Sequence, residues 1–81
     1  MKRLSELPVG AKGQIHSFDA NDMMLKLMEM GCVPGETIIV DQKAPLGDPI
    51  SILVAGYNLS LRISEANNIW VEEAIIESKF N

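Results

Sequence analysis

The sequence predicts a mainly β protein, in which five short strands close into a small barrel and one α-helix lies between strands 1 and 2. Short runs of β-branched or alternating apolar residues recur between turn residues, which is typical of strands. Helical periodicity is clear in one stretch, near Met24, and 81 residues allow one hydrophobic core. Strands this short must hide their edges, either by closing on themselves or by packing as two small sheets, and a small barrel is the economical solution.

The first half of the chain predicts one strand followed by the helix. The run 13–18 follows an opening segment whose proline and glycine break helices, and it predicts strand 1. A helix is predicted over about 21–30. Asn21 or Asp22 at its start can accept hydrogen bonds from the free N–H groups of its first turn. Met24, Leu27 and Met28 recur at helical spacing, so we expect them to form the buried stripe.

The second half predicts four strands. The β-branched run 37–40 predicts strand 2, and the alternating runs 50–54 and 59–63 predict a hairpin with one apolar face. One helical turn at about 64–67 leads into a last strand at about 69–72. A small SH3-like barrel accommodates five such strands economically.

Composition disfavours nucleic acid and membrane insertion. Seven Lys and Arg against eleven Asp and Glu give a net charge of −4, and the basic residues are scattered. Binding to a phosphate backbone needs clustered positive charge. No apolar run approaches the roughly 20 residues that span a bilayer. The single cysteine, Cys32, cannot form an internal disulfide, so we expect a reducing, cytoplasmic location.

No residue pattern in the sequence predicts a metal, cofactor or catalytic site. His16 is the only histidine and Cys32 the only cysteine, and no pair of residues has the spacing of metal ligands. The glycine-rich run 10–13 lacks the spacing of a phosphate-binding loop. We therefore expect a binding protein with no cofactor and no bound metal, and not an enzyme.

Four residues are candidates for contact with a partner protein: Leu46, Asp48, Arg62 and Trp70. The loop 45–49 is either a structural turn or a stiff loop that presents Leu46 and Asp48 at little entropic cost. The strand period places Arg62 and Trp70 on the outer face. Arg62 is otherwise a solvated surface charge, and Trp70 is otherwise a cap on one end of the barrel core.

Three groups of residues occur in a characteristic order along the chain. They are the opening Leu4-Ser5-Glu6-Leu7-Pro8-Val9-Gly10 with Gly13 and Ile15, the helix exit Met30-Gly31-Cys32-Val33-Pro34-Gly35, and the loop Ala44-Pro45-Leu46-Gly47-Asp48-Pro49-Ile50 with Gly56, Leu59-Ser60-Leu61-Arg62 and Glu65-Ala66. With this ordered set, the chain resembles the ferrous iron transport protein A (FeoA) family from about Leu4 to Glu72. It departs from the family at Cys32, where an aliphatic residue is usual, and the tail from Glu73 to Asn81 follows no family pattern.

The resemblance implies an SH3-like domain over residues 1–73 and a C-terminal tail, 74–81. It also implies a cytoplasmic accessory protein that docks on the cytosolic, GTPase-bearing part of a FeoB-type membrane transporter, so that iron belongs to the transporter. The alternative is an SH3-like metal-responsive regulatory domain, as in repressors of the diphtheria-toxin-repressor type. A homodimer through an exposed strand edge or through the tail stays open.

Overall fold

The structure is a computed structural model, and it describes residues 1–74. In chain order the elements are β1 (Lys2–Arg3), a 3₁₀ turn (Leu4–Glu6), β2 (Lys12–Phe18), α1 (Met23–Glu29), β3 (Thr37–Lys43), β4 (Ile50–Val54), β5 (Tyr57–Leu61), α2 (Ile63–Ala66) and β6 (Ile69–Glu73). The chain is thus mainly β, as the sequence predicts. Apart from Ala74, the expected tail 74–81 lies outside the described residues.

The number of strands is six rather than the predicted five, because β1 precedes the predicted strand 1. A strand of two residues is too short to show any periodicity in the sequence. In the structure, helix α1 therefore lies between the second and third strands, β2 and β3, and not between the first and second.

The six strands form one antiparallel sheet in the order β1-β6-β2-β3-β4-β5. Across residues 1–74, β1 and β5 do not pair with each other, so the sheet is not the closed barrel that the sequence predicts. Each edge strand instead runs into a helical turn, β1 into the 3₁₀ turn and β5 into α2, and these two turns contact each other. The contact includes a hydrogen bond from the Ser5 hydroxyl to the Asn67 side-chain oxygen.

The core lies on one face of the strands, because burial alternates along them. In β4, Ile50, Ile52 and Val54 are buried, whereas Leu53 between them is exposed. Full burial of one such side chain contributes about 1.5–3 kcal/mol. The buried apolar residues are Leu4, Leu7, Ile15, Leu27, Cys32, Ile38, Val40, Ile50, Ile52, Val54, Leu61, Ala66, Ile69 and Val71.

Strand β2 lies between β6 and β3, and its close approach to β6 requires a glycine. A Cβ on Gly13 would lie 2.5 Å from Cγ1 of Val71 and 2.8 Å from the backbone oxygen of Glu72. Two residues further along, the pairing of β2 with β6 shifts register between Ile15 and Ser17. No other residue type fits at position 13 without moving one of the two strands.

Helix α1 buries a different set of residues from the predicted one. Leu27 is fully buried, but Met24 and Met28, predicted to be buried with it, are 41% and 38% exposed. Met23 and Met30 pack against the core instead. Because methionines occur on both sides of Leu27 at helical spacing, the period alone could not choose between these two faces.

The C-terminal end of α1 is attached to the β4–β5 hairpin. Gly31 adopts φ +105°, and the N–H of Cys32 donates to the carbonyl oxygen of Leu27 at 2.9 Å, which ends the helix. The hydroxyl of Tyr57 donates to the carbonyl oxygen of Met30 at 2.6 Å. This hydroxyl occupies the space where a side chain on Gly31 would begin.

We predict that Gly13→Ala lowers the free energy of unfolding by about 2 kcal/mol or more, because the added methyl group overlaps Val71 and the Glu72 backbone. Urea unfolding followed by circular dichroism measures the change. Lys12→Ala, an exposed change in the same strand, serves as the control and should stay within about 0.5 kcal/mol of the parent. Equal stability of the two variants would contradict the close-approach argument.

Candidate partner-binding surface

The loop between β3 and β4 is braced by three hydrogen bonds. The Gly47 N–H donates to the Ala44 oxygen at 2.7 Å, and the Ala44 N–H donates to the Pro49 oxygen at 3.1 Å. Oδ1 of Asp48 accepts a hydrogen bond from the Ile63 N–H at 3.1 Å, which links the loop to the first residue of α2. Leu46, at the tip of this loop, is 97% exposed. The backbone is held in place while the leucine side chain is left free.

Helix α2 is organised by a nearly buried carboxylate, that of Glu65. The Arg62 N–H donates to Oε1 of Glu65 at 2.8 Å, and Nζ of Lys26 lies 2.9 Å from Oε2. The Arg62 N–H, and after it Lys26, lower the pKa of Glu65 from its ordinary value, although burial acts in the opposite direction. Glu65 therefore caps the N-terminal end of α2 and also attaches α2 to α1.

The side chain of Trp70 lies in a polar cluster on the outer face of the sheet. Its indole N–H donates to Oδ1 of Asp19 at 2.8 Å, and the Arg3 guanidinium lies 4.4 Å from the ring centroid. Nη1 of Arg3 also donates to Oδ2 of Asp19 at 3.1 Å and to the backbone oxygen of Asn67 at 2.6 Å. The bonds from Trp70, and then from Arg3, lower the pKa of Asp19 from its ordinary value.

Three of the four predicted contact residues lie together. Leu46 and Asp48 share the braced loop, and Asp48 bonds the residue that follows Arg62. In the part of the chain that the structure describes, no hydrogen bond or ion pair joins Trp70 to this loop. The loop reaches the N-terminal end of α2, whereas the Trp70 cluster reaches the C-terminal end through Asn67. A four-residue helix, about 6 Å long, separates the two.

The two residues considered as metal ligands, Cys32 and His16, differ in their exposure to solvent. Cys32 is buried, and burial, with a smaller effect of the Glu65 charge, raises the pKa of its thiol to about 11. His16 is exposed on β2, and its Nδ1 lies 2.9 Å from Oγ of Ser17. Over residues 1–74, no three His, Cys, Asp or Glu side chains come together in a group that could hold a metal ion.

A shallow cavity of about 340 Å³ lies on another part of the sheet, away from the braced loop. It is lined by Lys12, Gly13, Gln14, Thr37, Glu72, Glu73 and Ala74. None of the four predicted contact residues lines it.

Among the described helices, none has the length and apolar character needed to cross a membrane.

Reasoning from the sequence missed the groups that hold the candidate residues. Arg3 and Asp19 are 67 and 51 positions from Trp70, so no local pattern connects them to it. Glu65 could have been found, since a glutamate three residues after the N-cap residue, here Arg62, is a capping signal. The signal was weak because Arg62, and not Ser or Thr, precedes the helix.

Comparison with solved structures defines the class of protein. FeoA from Stenotrophomonas maltophilia, solved in complex with zinc and described as a prokaryotic SH3 domain protein, is 35% identical with a TM-score of 0.76, covering 89% of this chain and 91% of that one. A FeoA-like protein from Clostridium acetobutylicum is 36% identical with a TM-score of 0.86, covering 99% and 98%. The chain is thus an SH3-like domain, although its sheet is open.

The family follows from the sequence comparisons. A model of the FeoA domain matches residues 2–73, so the chain belongs to the FeoA family. A Fe(2+) transport protein A/Fe(2+) transporter FeoB fusion protein of Porphyromonas gingivalis is 44% identical over 71 residues, which are 86% of this chain and 8% of that protein. The chain thus spans less than a tenth of this relative's length.

A manganese-dependent transcriptional repressor shares the fold alone. It is 19% identical, with a TM-score of 0.81 over 90% of this chain and 41% of the repressor.

We predict that Glu65→Gln weakens the dependence of stability on acid pH. Because the folded-state pKa of Glu65 is lowered, its charge stabilises the protein above the ordinary glutamate pKa, about 4.3, and this contribution is lost as pH falls through the folded-state value. Urea unfolding between about pH 7 and pH 3 measures the slope. Glu29→Gln, an exposed change on α1, is the control and should keep the parent slope. Equal slopes for parent and Glu65→Gln would contradict the assignment.

We predict that Arg3→Gln exposes the indole of Trp70, because the guanidinium covers one face of the ring. Trp70 is the single tryptophan, so its fluorescence reports on this site alone. Emission should move to longer wavelength and quenching by acrylamide should increase. Lys2→Gln, which changes an exposed ion pair with Glu73, should leave both unchanged. Unchanged emission in Arg3→Gln would show that Arg3 does not shield the ring.

Proposed function

We propose that this chain is a cytoplasmic accessory protein of ferrous iron uptake, and that it docks on the cytosolic, GTPase-bearing part of a FeoB-type transporter. The observation that carries this proposal is Leu46, which is 97% exposed at the tip of a loop with a fixed backbone. A large apolar side chain held in water on a braced loop has no role in the core. It suits a pocket on a partner protein.

The brace explains why this loop favours binding. Ordering a flexible loop on association costs free energy, and a loop already held by Asp48 and by its own backbone bonds avoids most of that cost. The contact residues around it are Leu46, Asp48 and Arg62, with Trp70 beyond the far end of α2. An apolar anchor beside charged groups is the usual composition of such an interface.

The Porphyromonas gingivalis relative supports the choice of partner. In that protein a domain similar to this chain is fused with the FeoB transporter. Fusion makes contact between the two parts intramolecular and raises their effective concentration. In the proposed interface, Leu46 is the anchor that makes this contact.

We predict that Leu46→Ala weakens binding to the isolated cytosolic region of the transporter by about tenfold, since a buried apolar anchor contributes about 1–2 kcal/mol. The change should leave the free energy of unfolding unaltered, because Leu46 contacts little else in this chain. Biolayer interferometry with and without a GTP analogue measures the affinity. Val9→Ala, an exposed apolar residue outside this surface, is the matched control and should bind like the parent.

Two results would count against the proposal. Absence of binding by the parent chain in every nucleotide state would remove the transporter as its partner. Binding that is equally strong in Leu46→Ala, Asp48→Ala and the parent would keep the partner but move the interface away from the braced loop.

A further inference from the structure

Helix α1 carries a second exposed surface, which differs in character from the braced loop. Met24, Leu25 and Met28 are 41%, 66% and 38% exposed. At 3.6 residues per turn these three side chains fall within an arc of about 100° on one side of the helix. We call them the α1 apolar face. Leu27 is fully buried on the side of this seven-residue helix that packs against the core, so the exposed area of the other three side chains is not used in that packing.

The charges of α1 are segregated from this face. Lys26, on the other side of the helix, is held at 2.9 Å by the buried carboxylate of Glu65. Asp22 and Glu29, at the two ends of the helix, form no ion pair within residues 1–74. The charged residues of α1 and its N-cap that form no ion pair are therefore acidic.

We propose that the α1 apolar face binds a basic amphipathic helix, which, given the proposed function, belongs to the cytosolic part of the transporter. The apolar side of such a helix would cover Leu25 and the two methionines, and its Lys or Arg residues would meet Asp22 and Glu29. Methionine suits this role because its unbranched side chain adapts to the shape of the incoming residues.

Two other occupants fit less well. The exposed surface area of the three partly exposed side chains is on the order of a few hundred Å². Each partner in a stable dimer buries about 800 Å² of its surface. A second copy of this chain would also bring Asp22 and Glu29 of both copies together. An anionic membrane surface is disfavoured for the same reason, since Asp22 and Glu29 and the net charge of −4 repel it.

The direct test uses a synthetic basic amphipathic helical peptide and an acidic peptide with the same apolar residues. We predict that the basic peptide shifts the amide resonances of residues 22–29 of the ¹⁵N-labelled chain, and that the acidic peptide does not. Leu25→Gln/Met28→Gln should weaken binding of the basic peptide at least tenfold. Val9→Gln is the matched control, because it replaces an exposed apolar residue outside the face and should bind like the parent.

Each other outcome overturns the inference. Equal binding of both peptides, or shifts away from α1, would show that the face does not recognise a basic helix. Concentration-dependent dimerisation in analytical ultracentrifugation that Leu25→Gln/Met28→Gln abolishes would assign the face to a second copy. Binding to anionic vesicles that the same variant abolishes would assign it to lipid.

A second arm separates this inference from the proposed function. In the titration with the transporter's cytosolic region, loss of binding in Leu25→Gln/Met28→Gln but not in Val9→Gln supports both. Binding that this variant retains in full overturns the inference and leaves the proposed function standing. If the parent chain does not bind the transporter at all, the proposed function fails, and the peptide titration alone decides the inference.

Discussion

A small sheet whose two edge strands do not meet must still exclude water from one open side of its core. In this protein the 3₁₀ turn and α2 fill that gap, and α2 has only four residues. A helix this short is unstable by itself, because the first turn fixes several residues for one hydrogen bond. The carboxylate of Glu65 supplies what α2 lacks, since it bonds the Arg62 N–H at one end and Lys26 of α1 at the side.

The surroundings of α2 follow from this arrangement. Asp48 brings the braced loop to its first residue, and Arg3 brings the N-terminal segment to the backbone oxygen of Asn67 at its end. The residues with which we associate partner binding are therefore placed by the same short helix that covers the core. Under the proposed function, stability and partner binding are coupled here, so we expect a change at Glu65 to affect both and a change at Leu46 to affect partner binding alone.

The parts of the fold that local patterns encode were predictable. The alternation of Ile50, Ile52 and Val54 with more exposed neighbours identifies the β4–β5 hairpin and its buried face. The open edge was not predictable, because closure depends on how the sheet curves and on which turns fill the gap. For α1, methionines on both sides of Leu27 left the buried face undetermined by periodicity. The loop that carries Leu46 and Asp48 could be proposed from its prolines, but its attachment to α2 spans 15 positions in sequence.

The contact between Gly31 and Tyr57 has a consequence for how this chain can change in evolution. The Tyr57 hydroxyl lies where a Cβ of residue 31 would be, so the two positions constrain each other across 26 residues of sequence. The constraint is unequal. Replacing Tyr57 with Phe removes the closest atom, but the ring Cζ would still lie 3.3 Å from a Cβ at position 31, and φ of +105° still favours glycine there. Among natural variants, substitutions at position 57 should therefore accumulate without compensation, whereas those at position 31 should be rare even when position 57 has already changed.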